Sequence, residues 1–191
     1  MKSLFGYIHG SILFAVVSCS VLGSFAKPAL STENQPSSPC ASPPYHQFDF
    51  WIGDWDVFET GKPVRVAHAR IDSILNGCVL REDYQATDGH EGQSFTIYDN
   101  SKDGWHQTWV TSRGELLQID GTFNNGEMIL SGKNQQGAMV RGTWKPVNKG
   151  VREVAVISTD EGKTWKPWFD IIFRRRPDGV LARPNPPEAR P

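Results

Sequence analysis

The chain has 191 residues, a formal net charge of −1 and 11% aromatic residues. That length suits one domain with short end segments, not a chain of several domains. No basic excess and no Lys/Arg cluster beyond Arg174-Arg175-Arg176 is present, which excludes a nucleic-acid footprint as the basis of function.

The first residues carry one cation, Lys2, then the apolar core Ile12-Leu13-Phe14-Ala15-Val16-Val17 and small residues ending Ser24-Phe25-Ala26. This is the pattern of a secretory signal peptide over 1–26, and the core is too short for a permanent membrane helix. Two processing readings are open, cleavage after Ala26 and lipid modification of Cys19. The apolar Val21, Leu22 and Phe25 after that cysteine favour the first. Either way the mature chain is expected in the periplasm or secreted.

Residues 27–44, rich in Pro, Ser and Asn, read as a flexible leader, and the proline-rich 177–191 as a disordered tail. The folded unit is then 45–176, and all seven tryptophans fall within it. It opens on Phe48-Asp49-Phe50-Trp51-Ile52-Gly53-Asp54-Trp55-Asp56-Val57-Phe58, read as the first of a run of strand-like segments. Turn signals then recur at short intervals: Gly61-Lys62-Pro63, Asn76-Gly77, Asp88-Gly89, Asp99 to Gly104, Arg113-Gly114, Asn124-Asn125-Gly126, Gln136-Gly137, Asn148-Lys149-Gly150 and Asp160-Glu161-Gly162. Between them lie β-branched and aromatic runs such as Phe95-Thr96-Ile97-Tyr98, Thr108-Trp109-Val110-Thr111, Val154-Ala155-Val156-Ile157 and Phe169-Asp170-Ile171-Ile172-Phe173. About ten sequential strands joined by tight turns predict an all-β, antiparallel up-and-down barrel whose closure removes exposed edges. A β-sandwich is the competing arrangement.

After removal of the signal, Cys40 and Cys78 remain in a compartment where disulfides persist, and their pairing is expected. A bridge there closes a loop of about 40 residues, worth roughly 4 kcal/mol in the chain-entropy model.

The opening Phe48 to Val57, then Ile74-Leu75-Asn76-Gly77-Cys78-Val79-Leu80-Arg81-Glu82, Tyr98-Asp99, Trp105-His106-Gln107-Thr108-Trp109-Val110 and Ser158-Thr159-Asp160-Glu161-Gly162-Lys163-Thr164-Trp165 together resemble a family of bacterial exported proteins of unknown function. That resemblance implies a lipocalin-like, or more broadly calycin-like, barrel. Gly53 and Trp55 on the first strand with Arg174 on the last are similar to the Gly-x-Trp and arginine pair that closes such barrels, a cation resting on an indole face. The family carries no activity to transfer.

Few residues suggest catalysis. The Ser158-x-Asp160-x-Gly162-x-Thr164-Trp165 segment matches an Asp-box, a structural turn in which Asp accepts backbone N–H bonds. His68 and Asp72 would share a strand face roughly 13 Å apart, too far to hold one metal. Nitrobindin-like barrels, which bind haem, use a late histidine, and none follows His106. Ser94 lacks the second glycine of a nucleophile elbow. Asp49, Asp54 and Asp56 fit the wet side or turns better than an acid/base pair. No metal and no cofactor is therefore expected.

Alternation directs attention elsewhere. Leu80-Glu82-Tyr84 and Trp105-Gln107-Trp109 each place a polar group on the face of large apolar ones. With Arg141 added, the lumen would hold an acid, an amide and a guanidinium among aromatics, the composition of a small-molecule site. The expected ligand-binding set is Glu82, Tyr84, Trp105, Gln107, Trp109 and Arg141, for a small, partly apolar ligand. Two other readings stand beside it, an extracytoplasmic hydrolase or carbohydrate-active enzyme, and a protein or cell-wall interaction module displaying Trp51 and Trp168.

Overall fold

The structure, a computed structural model, describes residues 39–176. The expected signal segment with Cys19, most of the leader and the tail from 177 lie outside the described residues. Ten strands follow one another: β1 (Gly53–Glu59), β2 (Arg65–Ile74), β3 (Val79–Ala86), β4 (Glu91–Asp99), β5 (Gly104–Thr111), β6 (Leu116–Asn124), β7 (Glu127–Lys133), β8 (Met139–Val147), β9 (Gly150–Ser158) and β10 (Lys166–Arg175). Each pairs antiparallel with its neighbours in sequence, and β1 pairs with β10, so the sheet closes. This is an up-and-down, lipocalin-like barrel.

Local chemistry explains the meander. Asn125 and Gly126 join β6 to β7 at φ 50° and 82°, the paired positive values of a two-residue hairpin whose twist matches its strands. Period-two patterning then sorts the side chains. On β4, Gly92, Ser94, Thr96 and Tyr98 are buried while Glu91, Gln93, Phe95 and Ile97 are exposed. The core is the filled part of the lumen, and the ion pairs of Asp56, Arg65, Arg70, Asp72 and Arg81 lie outside it.

The lower end, where β2–β3, β4–β5, β6–β7 and β8–β9 connect, is stoppered. Residues Phe48–Trp51, read from sequence as the start of the first strand, instead contain a 3₁₀ turn (Asp49–Trp51) that follows another at Pro43–His46. The spacing of Phe48 and Trp51 suits this, because a three-residue period stacks i on i+3. Their rings lie 5.0 Å apart, 16° from parallel. Phe48 meets the edges of Trp105 and Trp144 at 5.9 and 5.7 Å. Trp51 meets Phe173 at 5.9 Å, and Tyr45 meets Tyr98 at 5.1 Å. Such pairs add about 0.5–1.5 kcal/mol each beyond the apolar area they bury. Trp51 is only 1% exposed, so it displays nothing to a partner, whereas Trp168 is 47% exposed.

A disulfide fastens the stopper. Cys40 bonds Cys78, which follows the 3₁₀ turn Leu75–Gly77 between β2 and β3, across a separation of 38 residues. It constrains the unfolded chain by about 4 kcal/mol. Residues 39–44, assigned to the leader by composition, thus begin the folded part.

The closing cation differs from the expected one. Arg175, not Arg174, lies over the Trp55 ring, 4.6 Å from its centroid, and donates a hydrogen bond to the Ile52 carbonyl at 3.2 Å. Register decides it. Trp55 pairs with Arg175 and Val57 with Phe173, both on the inner side, while Arg174 pairs with Asp56 and stacks outside on Phe58 at 4.6 Å. Gly53 makes room, since a Cβ there would sit 2.8 Å from the Arg175 guanidinium. Trp55 donates its indole N–H to the Trp51 carbonyl at 2.9 Å, which joins strand, stopper and cation in one unit.

Candidate ligand cavity

Above the stopper the barrel is hollow. A cavity of about 430 Å³ occupies the upper lumen and is bounded at its rim by the β3–β4, β5–β6 and β7–β8 connections and the start of β10. That size lies within the roughly 300–1,000 Å³ of small-molecule sites. Trp51, Trp144 and Phe173 form its lower part, Tyr84, Trp109, Ile119 and Ile171 its walls, and His90, Glu115, Gln135 and Trp168 its rim.

Strand alternation brings in the polar groups. Glu82 on β3, Ser94 and Thr96 on β4 and Gln107 on β5 all face inward and are buried. They form a chain of hydrogen bonds: Gln107 donates its amide N–H to Thr96 Oγ1 at 2.9 Å and to Ser94 Oγ at 3.5 Å, and Ser94 donates to Glu82 Oε2 at 2.9 Å. The register makes this local, since Glu82 faces Ser94 across one strand pair and Thr96 faces Gln107 across the next. Glu82 is thereby held by one oxygen while its carboxyl lines the cavity. Burial pushes its pKa up to about 8, with the Ser94 hydroxyl pulling partly the other way. Tyr84 above it is pushed up to about 12, first by burial and then by the nearby acids.

A second acid stands in the same lumen. Glu153 on β9 also lines the cavity, and burial followed by repulsion from Glu82 raises its pKa well above the usual carboxylate range. Its cross-strand neighbour is Trp144, whose buried indole N–H is directed toward it and favours the charged form in part. No well-formed hydrogen bond completes that contact, and the Trp51 indole N–H is also buried without an acceptor. The lumen therefore contains two carboxyls whose protonated form is favoured by desolvation, an amide, a phenol and two indole donors.

Trp109 keeps the space open. Its ring lies flat over Gly92, where a Cβ would come within 2.2 Å of Cζ2. It meets Tyr84 edge-on at 5.8 Å.

Four of the six residues expected to bind ligand, Glu82, Tyr84, Gln107 and Trp109, are brought together on the cavity wall. Trp105 is not among the lining residues. It lies lower, against Phe48 and Tyr98, and donates its indole N–H to Gln47 Oε1 at 3.0 Å. Arg141 borders the rim, yet its side chain is exposed and its guanidinium stacks on the Trp165 ring at 4.4 Å, so it does not complete a polar set in the lumen. Parity is the reason: Val140, Gly142 and Trp144 point inward, which sends Arg141 out. Glu153 has the inward parity of Val151 and Ala155, but the run Val154-Ala155-Val156-Ile157 is apolar at every position, which hides the alternation. The Asp160 turn serves itself: Asp160 accepts from the Thr164 hydroxyl at 2.5 Å, from Thr164 N–H at 2.8 Å and from the Ser158 hydroxyl at 2.7 Å, and these local bonds lower its pKa to about 2.

Among the described residues no group of three or more His, Cys, Asp or Glu side chains is placed to hold a metal, and no helix is long and apolar enough to cross a membrane. Compared with models of protein families and with curated protein sequences, the chain matches none.

Proposed function

We propose that this is an exported, lipocalin-like carrier or sensor that holds a small, partly apolar molecule in its upper lumen, and that it belongs with the bacterial exported proteins it resembles. The observation that carries this reading is the hollow of about 430 Å³ into which Glu82, Gln107, Tyr84 and Glu153 converge among aromatics. A barrel built only for stability would fill this space with side chains, as its lower end does. The buried polar chain from Gln107 to Glu82 adds a fixed hydrogen-bonding group to an otherwise apolar wall, which is how such sites orient a guest.

An enzyme reading finds less support. A carboxylate pair that hydrolyses glycosides needs one acid and one ionised partner. Here desolvation raises the pKa of both carboxyls, which works against ionisation of either.

The test is uptake of the neutral naphthalene fluorophore prodan by the full chain and by Ala155→Phe. Ala155 is 2% exposed and lines the cavity, so a ring there occupies part of the lumen. Saturable uptake at one site, weakened at least about tenfold in Ala155→Phe at unchanged secondary structure, supports the reading. Equal uptake by both proteins, or none by either, refutes it.

A further inference from the structure

We propose that the cavity selects a small organic cation, an ammonium carried on an aromatic or otherwise apolar body, with the ammonium between Glu82 and Glu153 and the body against Trp109 and Trp144. This rests on the ligand-cavity reading and narrows it to one chemical class.

The argument begins with a missing partner. Two acids are enclosed in one apolar lumen, and structural acids in such places are ordinarily paired with a cation, because an uncompensated buried charge is costly. Among the described residues lining the cavity, the basic side chains are His90 at the rim and Arg141, whose guanidinium is committed to Trp165 outside. Glu115 adds a third acid at the rim. Among the described residues neither Glu82 nor Glu153 has a basic partner within ion-pair reach, although the outer face of the same barrel pairs its acids freely, as Asp56 with Arg65 and Asp72 with Arg81. The protein thus leaves its inner acids without the counter-charge it supplies to outer ones.

Each ligand class meets this lumen differently. An anion, such as a fatty acid carboxylate, faces two acids in the lumen and meets a basic side chain only at the rim, in His90 and the committed Arg141. A neutral guest gains hydrogen bonds but no charge pairing. An ammonium gains Coulomb attraction in a low-dielectric space and the faces of several indoles. The lining supplies both, since Trp51, Trp109 and Trp144 border the same cavity as the two acids. The Trp144 N–H directed at Glu153 then has a definite role, stabilising the carboxylate that the guest's charge creates.

Proton linkage follows. With Glu82 held protonated up to about pH 8, ammonium binding releases a proton to solvent, so affinity rises as pH rises through that value. The titratable groups facing Glu82 in the lumen are Glu153 and Tyr84, with Asp83 its neighbour in the strand.

Three probes of one shape separate the classes: phenethylammonium, phenethyl alcohol and phenylacetate, titrated calorimetrically into the full chain and into Glu82→Gln, Glu153→Gln and the double variant. The expected order is ammonium tightest by at least about tenfold over the alcohol, with phenylacetate weakest. Each single substitution narrows the gap, and the double variant brings ammonium and alcohol to within about twofold. Both glutamines are isosteric, and retained uptake of prodan shows that the lumen is intact in each variant. Alcohol binding as tight as ammonium, or an ammonium preference that survives the double substitution, overturns the inference. Prodan uptake without phenethylammonium binding also overturns it and leaves the cavity reading standing, whereas exclusion of both probes refutes the two together.

Discussion

The two halves of this barrel are built from the same alternating strands and do opposite things with their interiors. Below, Phe48, Trp51, Trp55, Trp105 and Phe173 fill the lumen, and a disulfide and an indole-bound guanidinium secure the fill. Above, comparable aromatic residues line a space and leave it open, with two carboxyls projecting into it. The difference teaches where stability and function are divided: closure depends on the short 3₁₀ stopper added to the sheet, which frees the opposite half to keep buried polar groups that a filled core would exclude.

Substitutions should separate the halves. The largest expected effect is Phe48→Ala, which removes the ring that touches Trp51, Trp105 and Trp144. A loss of about 3–5 kcal/mol is expected by denaturant unfolding. Replacing Cys40 and Cys78 together by Ser should lower stability by about 2–4 kcal/mol, with prodan affinity retained at temperatures where the protein stays folded. If lumen binding collapsed while the fold persisted, floor and cavity would not be independent.

The upper half should show itself through pH. Glu82 titrates at 4.5 when unfolded and at about 8 when folded, and Glu153 shifts in the same direction. The folded state therefore keeps protons that the unfolded chain releases. Stability from these groups is fully present below pH 4.5 and is lost as pH rises through about 8 for Glu82. The slope is about 1.4 kcal/mol per pH unit for each group. Glu82→Gln should remove its share of that slope and raise stability in mild alkali relative to the parent, as melting temperatures against pH would record. The smallest effect concerns the closing cation. Arg175→Met should cost about 1 kcal/mol and Arg174→Met less, because Arg174 stacks on an outer, partly exposed Phe58.

How much of this the sequence shows depends on the kind of signal. Turn residues and strand runs identify the strands and the meander, since Asn-Gly turns and β-branched segments act locally. Glu82 and Gln107 are legible because large apolar residues flank them at two-residue spacing. Arg141 and Arg174 differ from expectation for one shared reason: a side chain's face follows from register, and parity with Trp144 or Phe173 outranks a residue's attraction as a candidate. Phe48–Trp51 reads as strand because aromatic residues favour strands, while the stacking that makes it a stopper depends on Trp105 and Trp144, far along the chain. Glu153 stays hidden directly before a run, Val154 to Ile157, that is apolar on both faces.

The central claim, that the upper lumen is the binding site, is tested most directly by nitrogen–proton correlation spectra of the tryptophan indole groups during titration with prodan. The account predicts that the Trp109 and Trp144 signals move in step to saturation while Trp165, outside beneath Arg141, stays fixed. Movement of Trp165 with Trp109 and Trp144 unchanged would place the guest on the outer surface and contradict it.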